Sequence, residues 1–247
     1  MENQIKVSVI TACKNSESTI KDTFQSILKQ KYRPLQYIVV DGLSTDGTVN
    51  IIEEYKEKFQ HEKIDFLFLS ETDAGIYDAM NKGIRLATGD LVGIINSDDW
   101  YEEDAVGKVA RAYAKQPFDL FYADLRIINQ DGSSFTKKSK NSKWITSRYW
   151  NHPTTFITKE LYRNNLYKAE NIHDDWDLIL RIRKQECRIV VLNEVLANFR
   201  RNGVSHQKSW RKAMERAKIK YRIYRDNGYS RLYFVECYGM EIAKMVV

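Results

Sequence analysis

The chain has 247 residues, 43% of them hydrophobic and 29% charged, with a formal net charge of +6. That is a globular composition with room for one large core or two small ones. No window approaches the ~20 consecutive apolar residues needed to cross a bilayer, and the opening MENQIKVSVITA has neither the basic leader nor the apolar core of a signal peptide. The three cysteines, Cys13, Cys187 and Cys237, lie far apart with no CxxC pairing, which argues for a reducing, cytoplasmic setting and against a disulfide frame or zinc site.

The first 125 residues alternate strand and helix signals. IKVSVITA (5–12) is β-branched and ends in polar residues, and the next segment puts Ile20, Phe24, Ile27 and Leu28 at helical spacing. QYIVVD (36–41) predicts a second strand, and Asp46 can cap a helix carrying Val49, Ile52, Tyr55 and Phe59. IDFLFLS (64–70) predicts a third strand, before a helix with Ile76, Met80, Ile84 and Ala87 on one stripe. LVGII (91–95), the helical EEDAVGKVARAYAKQ and FDLFYAD (118–124) complete the series. Such alternation with short connections predicts an α/β layer with a mainly parallel sheet covered on both faces. Beyond residue 125 the pattern loosens. A DG turn marks a hairpin, the segments around NHPTTFITKELY and 172–201 read as short elements closing over the sheet, and 208–240 reads as a basic, aromatic-rich helical tail.

Ligands of open α/β sheets bind beyond the carboxyl ends of the strands. Here those ends are polar in series: Thr11 to Glu17, Asp41 to Asp46, Glu71 to Asp73, and Asn96 to Asp99. Asp98 and Asp99 stand side by side after a buried run, where two carboxylates repel. One could serve as a turn or helix cap. A divalent cation would compensate both, and all-oxygen ligation favours Mg²⁺ or Mn²⁺ completed by a diphosphate. Asp41 could accept from a ribose hydroxyl or a base N–H. Asp174, Asp175 and Asp177 open a further helix, where acids are favoured by the helix dipole or where one could act as a general base.

These pieces, VSVITACKNSESTIKDTFQSILKQ, YIVVDGLSTDGT, SETDAGIYDAMNKGIRLATGDLVGIINSDDWY and HDDWDLILRI, resemble in order and spacing the inverting family 2 glycosyltransferases of the GT-A fold, over about residues 5–205. The bacterial polysaccharide-building members are the nearest in pattern. The resemblance implies a GT-A domain over 1–207, with a nucleotide-sugar half (1–125) and an acceptor half (126–207), followed by the basic tail 208–247. It implies that Thr11, Ala12, Asn15 and Glu17 line the nucleotide pocket, that Asp41 holds the base or ribose, and that Asp73 sits beside the base. It further implies Asp99 on the metal, Asp98 on the metal or ribose, and Asp175 as catalytic base. Trp100, His152, Asp174, Trp176, Arg200 and Ser205 would belong to the acceptor side or its lid. Trp100, Tyr101, Trp150 and Trp176 read equally as sugar-stacking faces or as core.

Three positions depart from the family pattern. Gly42 stands where a second Asp is usual, Asn96 where many members carry the first Asp of a spaced DxD, and Asp174 where Glu is usual. The resulting expectation is inverting transfer of a sugar, from a UDP-linked donor by resemblance, to a hydroxyl of a glycan or lipid-linked saccharide, with Mn²⁺ or Mg²⁺ as cofactor.

From Arg200 to Arg231 there are eleven basic residues against Glu215 and Asp226. That stretch reads as a solvated face, an oligomer contact, or a contact with an anionic membrane surface, which would place the chain peripherally on the inner face of the plasma membrane. Rival readings are a sugar nucleotidyltransferase, which would want a Gly-rich loop after the first strand, and a non-catalytic sugar-nucleotide- or nucleic-acid-binding protein. ACKNSES holds no glycine, and no nucleic-acid-binding module is present, so no nucleic-acid partner is expected.

Overall fold

The computed structural model describes residues 4–201 and 209–246. Four strands, β1 (Val7–Cys13), β2 (Leu35–Asp41), β3 (Asp65–Ser70) and β4 (Leu91–Ile94), run parallel in the spatial order β3-β2-β1-β4. Every residue of β1 and β2 is buried, as expected of parallel strands covered on both faces. Side chains alternate between two apolar layers. Val7, Val9, Tyr37 and Val39 enter one with the helices α1 (Ile20–Leu28), α2 (Thr48–His61) and α4 (Ala105–Lys115). Ile10, Ala12, Ile38 and Val40 enter the other with α3 (Ile76–Leu86) and α6 (Asp174–Arg183). The first layer is knit by Phe24, Tyr37, Tyr55 and Phe59, whose rings lie 5.1–6.2 Å apart. In the second layer α3 sits hard against β1, since a Cβ on Gly83 would come within 2.4 Å of Ile10.

The parallel series ends at β4. The short β8 (Phe156–Thr158) pairs antiparallel with β4 on one side and with β6 (Leu120–Ile128) on the other. Residues read from sequence as closing over the sheet thus form part of it. β6 makes the expected DG hairpin with β7 (Ser134–Lys137) and pairs parallel with the long β9 (Ile189–Arg200). The outermost strand is β5 (Trp100–Tyr101), antiparallel to β9. The result is a nine-stranded mixed sheet. A small helix, α5 (Lys159–Arg163), follows β8.

The stripe expected on α3 is buried at Met80 and Ile84, but Ile76 is 48% exposed because it lies at the open N-terminal end of the helix. The C-terminal helices α7 (Trp210–Asp226) and α8 (Tyr233–Val246) pack onto the second apolar layer through Ile223, Tyr224, Tyr233 and Cys237. Tyr224 stacks on Tyr233 with ring centres 4.1 Å apart. Lys220 is buried and donates to Ser147 Oγ at 2.5 Å, and Arg216 pairs with Glu241 at 2.9 Å, so part of the basic count serves packing. No helix among the described residues is long and apolar enough to cross a membrane. Cys13 and Cys237 are buried, and all three cysteines are unbridged.

Candidate active site

The polar ends of β1, β2 and β4 meet above the sheet and are tied to one another by loop contacts. Asn15, at φ 51°, donates its backbone N–H to Ser44 Oγ at 2.7 Å and accepts from the Thr45 N–H on Oδ1 at 2.8 Å. Glu17 accepts from the Gly47 N–H at 2.9 Å, and its own N–H donates to Asp46 Oδ2 at 3.1 Å. Asp46 also accepts from the Thr48 N–H at 3.0 Å, although the residue at the N-cap of α2 is Gly47 and not Asp46 as expected. Ser16 Oγ reaches Ser97 Oγ at 2.8 Å, which joins this pair of loops to the Asp98–Asp99 turn.

Between these loops and the N-terminal end of α3 opens a cleft of about 570 Å³, with Ala12, Asn15, Asp73, Ile76, Ser97 and Asp98 among its walls. Four residues expected at the nucleotide, Ala12, Asn15, Asp73 and Asp98, therefore line it. Thr11 and Asp41 stand behind it with no exposure. Thr11 accepts from the Tyr37 hydroxyl at 2.9 Å. Asp41 accepts from the Ser44 N–H and hydroxyl and, at 2.7 Å, from the Ser70 hydroxyl. A carboxylate already supplied with these donors organises the loop and offers no free face to a ribose. Glu17 is exposed, and one of its carboxylate oxygens accepts from Gly47.

Asp73 occupies the place that the missing second Asp of the loop would claim. Its Oδ2 lies 2.2 Å from where a Cβ on Gly42 would stand, so only glycine admits the carboxylate in this position. Its Oδ1 accepts from the Gly75 N–H at 3.0 Å, and Gly75 has φ 124°, open to glycine alone.

Asp99 is fully buried. Its Oδ1 accepts from the backbone N–H of Arg200 at 3.1 Å, while its Oδ2 has no partner, and neither does the buried Oδ1 of Asn96. Burial, and then the neighbouring Asp98 charge, push the Asp99 carboxyl well above the usual carboxylate range, and burial pushes Asp98 up as well. An unpartnered buried carboxylate oxygen next to a second carboxylate is costly unless a cation is present. Among the described residues no three His, Cys, Asp or Glu side chains gather. Asp98 and Asp99 could hold an ion such as Mg²⁺ or Mn²⁺, which one or two carboxylates bind together with phosphate oxygens. The Arg200 guanidinium lies 5.0 Å from the centre of the Trp100 ring and bonds Asp22 Oδ2 at 2.6 Å.

The two adjacent aspartates at the start of α6 separate in role. Asp174 is fully buried and accepts from the Glu170 N–H at 2.5 Å, the Asn171 N–H at 3.1 Å and Asn171 Nδ2 at 2.6 Å. Its short side chain folds back onto the preceding loop, where residues 170 and 171 supply all three donors. Asp175 is only half-buried and keeps one oxygen on the Trp176 N–H at 2.7 Å. Its charge bears on Tyr77, Tyr167 and His152. Burial raises both phenols, with the Asp175 charge adding to it, and burial lowers the His152 imidazole, with Asp175 pulling it partly back. His152 Nε2 and the Tyr167 hydroxyl are 3.0 Å apart, and Tyr77 stacks on Tyr167 at 5.2 Å. Asp175 thus stands beside Tyr77, whose helical neighbour Ile76 lines the cleft, and is not itself among the lining residues. Sequence reasoning missed Tyr77 and Tyr167, because two tyrosines among fifteen carry no mark before the fold is known.

Trp176 is core. It is 3% exposed, its ring lies 5.4 Å from that of the equally buried Trp150, and Tyr101 is buried too. Of the four aromatic candidates only Trp100 keeps part of its surface open. Ser205 lies outside the described residues.

A half-parallel nine-stranded sheet, a cleft at its carboxyl edge, an Asp-Asp turn at the end of β4 and an aspartate at the N-terminus of α6 define a transferase of the GT-A type. The sequence pattern of glycosyl transferase family 2 matches residues 8–181. The chain is 30% identical to a teichuronic acid biosynthesis glycosyltransferase of Bacillus subtilis, TuaG, over 84% of each protein. Solved structures of the same fold include S. aureus TarS 1–349 in complex with UDP (TM-score 0.70, 19% identity, 96% of this chain and 71% of that one). They also include a mannosyltransferase of Pyrobaculum calidifontis in complex with GDP-Man and Mn²⁺ (TM-score 0.70, 17% identity, 99% of this chain and 75% of that one). The chain belongs to glycosyl transferase family 2 and is a glycosyltransferase.

Proposed function

We propose that the enzyme transfers a sugar, with inversion, from a UDP-sugar to a hydroxyl of a glycan or lipid-linked saccharide in bacterial surface polysaccharide synthesis. The observation that carries this reading is the buried, unpartnered Oδ2 of Asp99, next in the chain to Asp98, which lines the cleft. The teichuronic acid relative supports the polysaccharide setting. UDP is favoured by the family resemblance, and the UDP-bound neighbour uses the same fold.

Asp99 and Asp98 would hold Mg²⁺ or Mn²⁺, which when bound offsets charge on the departing diphosphate. Ala12, Asn15 and Asp73 would flank the nucleoside. Asp175 accepts the proton of the acceptor hydroxyl as that oxygen attacks the anomeric carbon on the face away from the diphosphate. The bond from the anomeric carbon to the phosphate oxygen breaks, its electron pair leaves with the nucleoside diphosphate, and the configuration inverts. His152 and Tyr167, hydrogen-bonded to each other near Asp175, would orient the acceptor side. We place the enzyme in the cytoplasm with peripheral contact to the inner face of the plasma membrane.

The test separates binding from chemistry. Asp175→Asn is expected to keep the Mn²⁺-dependent thermal stabilisation by UDP while sugar transfer falls by about 10²–10⁴-fold. Transfer at close to the wild-type rate would sink the assignment of the base.

A further inference from the structure

Large apolar side chains left exposed gather in one region. Leu232, Phe234, Val235 and Ile242 lie on or just before α8, and Phe135 and Trp144 lie beside it. Val235 is 71% exposed and Leu232 66%. The inward side of α8 is already used, since Tyr233, Cys237 and Glu241 are buried. Leu232, Val235, Gly239 and Ile242 follow helical spacing on the outward side, so α8 carries apolar residues on both faces. A surface helix normally turns charge outward, and an exposed apolar stripe of this kind marks a contact surface.

Next to this stripe a groove of about 1120 Å³ runs between α8, the β6–β7 hairpin and the segment 144–149. Phe135, Trp144, Val235 and Met240 form apolar walls, and the exposed Arg148 and Arg201 add guanidinium groups. Among the described residues neither arginine is paired with a carboxylate. The groove is held in shape by Trp144, which donates through Nε1 to Glu236 and stacks on Tyr233 with ring centres 4.1 Å apart. On α7, Arg211, Lys212, Lys218, Arg222 and Arg225 are exposed, against Glu215 and Asp226.

We propose that the outward stripe of α8 and the guanidinium-lined groove beside it form the face that docks on an anionic lipid leaflet. The apolar side chains enter the boundary between headgroups and acyl chains, and Arg148 and Arg201 take lipid phosphates. Charge complementarity selects this occupant over a second copy of the chain. A two-fold contact would set the same arginine-lined patch against itself. The inference rests on the peripheral localisation proposed above and places its seat on α8, within the C-terminal tail. It also explains the placement of the active site. Arg201 follows directly on Arg200, whose N–H holds Asp99, so an enzyme seated on this face brings its donor cleft near the leaflet.

The test is flotation of the full chain with vesicles of phosphatidylglycerol and phosphatidylcholine, and with phosphatidylcholine alone. Wild type is expected to float with the anionic vesicles. The double variant Leu232→Glu, Val235→Glu should bind them at least about tenfold less, and Arg148→Gln, Arg201→Gln should lose the preference for anionic over neutral lipid. Both should keep the wild-type thermal midpoint and the UDP-dependent stabilisation, which reports the donor site independently. If wild type floats and both variants float equally well, the α8 face is wrong although the localisation stands. If wild type never floats, the face and the localisation fall together and the transfer reading is untouched. A dimer in sedimentation velocity that the Leu232/Val235 variant dissociates, without vesicle binding, would assign the face to a second copy and overturn the proposal.

Discussion

The backbone N–H of Arg200 donates to Asp99 Oδ1 at 3.1 Å across 101 positions of sequence. The bond follows from sheet architecture, because Trp100 and Tyr101 pair with Asn198 and Ala197, and Arg200 ends that long strand. Asp99 is thereby aimed with one oxygen satisfied by backbone and the other left without a protein partner. A cation that reached this oxygen would find it already oriented by the backbone bond to its partner oxygen, and would offset the burial and the Asp98 charge that raise the Asp99 carboxyl.

The first prediction concerns that second oxygen. Asp99→Asn should remove the extra stabilisation that Mn²⁺ adds to UDP binding and leave the smaller effect of UDP alone. A ligand at a hundred times its Kd contributes about 2.7 kcal/mol, so the loss is readable as a shift in thermal midpoint. Persistence of the Mn²⁺-dependent part would show that the cation binds elsewhere.

Arg200 provides a contrast, since it holds Asp99 through its main chain. Arg200→Ala retains the N–H and loses the pairing with the half-exposed Asp22, the contact over Trp100 and the guanidinium charge that partly offsets the rise of the Asp98 and Asp99 carboxyls. The expected cost in stability is below about 1 kcal/mol, and Mn²⁺-dependent UDP binding should survive. A loss as complete as that of Asp99→Asn, measured in the same thermal assay, would mean that the guanidinium itself is required.

Gly42 and Asp73 should behave as a coupled pair. A methyl group at 42 meets Asp73 Oδ2 at 2.2 Å, so Gly42→Ala must turn the carboxylate away from its place at the cleft wall. UDP affinity is expected to fall about tenfold, or 1.4 kcal/mol. In an Asp73→Ala background the same change should be nearly silent, because the group it displaces is gone. Additive losses in isothermal titration would refute the coupling.

What could be read in advance follows a physical division. The runs of β1, β2 and β4 are buried on both faces, so their apolar, β-branched composition marks them, and the carboxylate pair after β4 stands out against that apolar run. β8 and β5, with three and two residues, are too short to carry a period, and their partners lie far away in the chain. The link between Asp99 and Arg200 was invisible for that reason. Asp174 and Asp175 look alike in sequence, but successive helical residues differ by about 100° in direction. One therefore turns to the loop at 170–171 and the other to the tyrosines of the cleft edge.

The third aspartate of that helix makes a prediction about acid stability. Asp177, with its side chain 1% exposed, bonds Arg181 Nε at 2.8 Å, Lys168 Nζ at 3.1 Å and Asn227 Nδ2 at 2.8 Å, and so ties α6 to the end of α7. Burial would raise its carboxyl, but the hydrogen bonds from Arg181, Asn227 and Lys168, with the Arg181 charge, outweigh burial and hold it below the usual value. A depressed carboxyl contributes stability that is fully present above the unfolded-state value and is lost as pH falls through the folded one. Asp177→Asn should therefore cost about 2 kcal/mol at pH 7, the scale of hydrogen bonds to a charged group. The gap from wild type should narrow as the pH is taken below the ordinary carboxylate range, since both proteins then carry a neutral side chain at this position. Urea unfolding at neutral and at acid pH measures both quantities. A gap that stays constant across that range would show that the Asp177 contacts act through shape and not through charge.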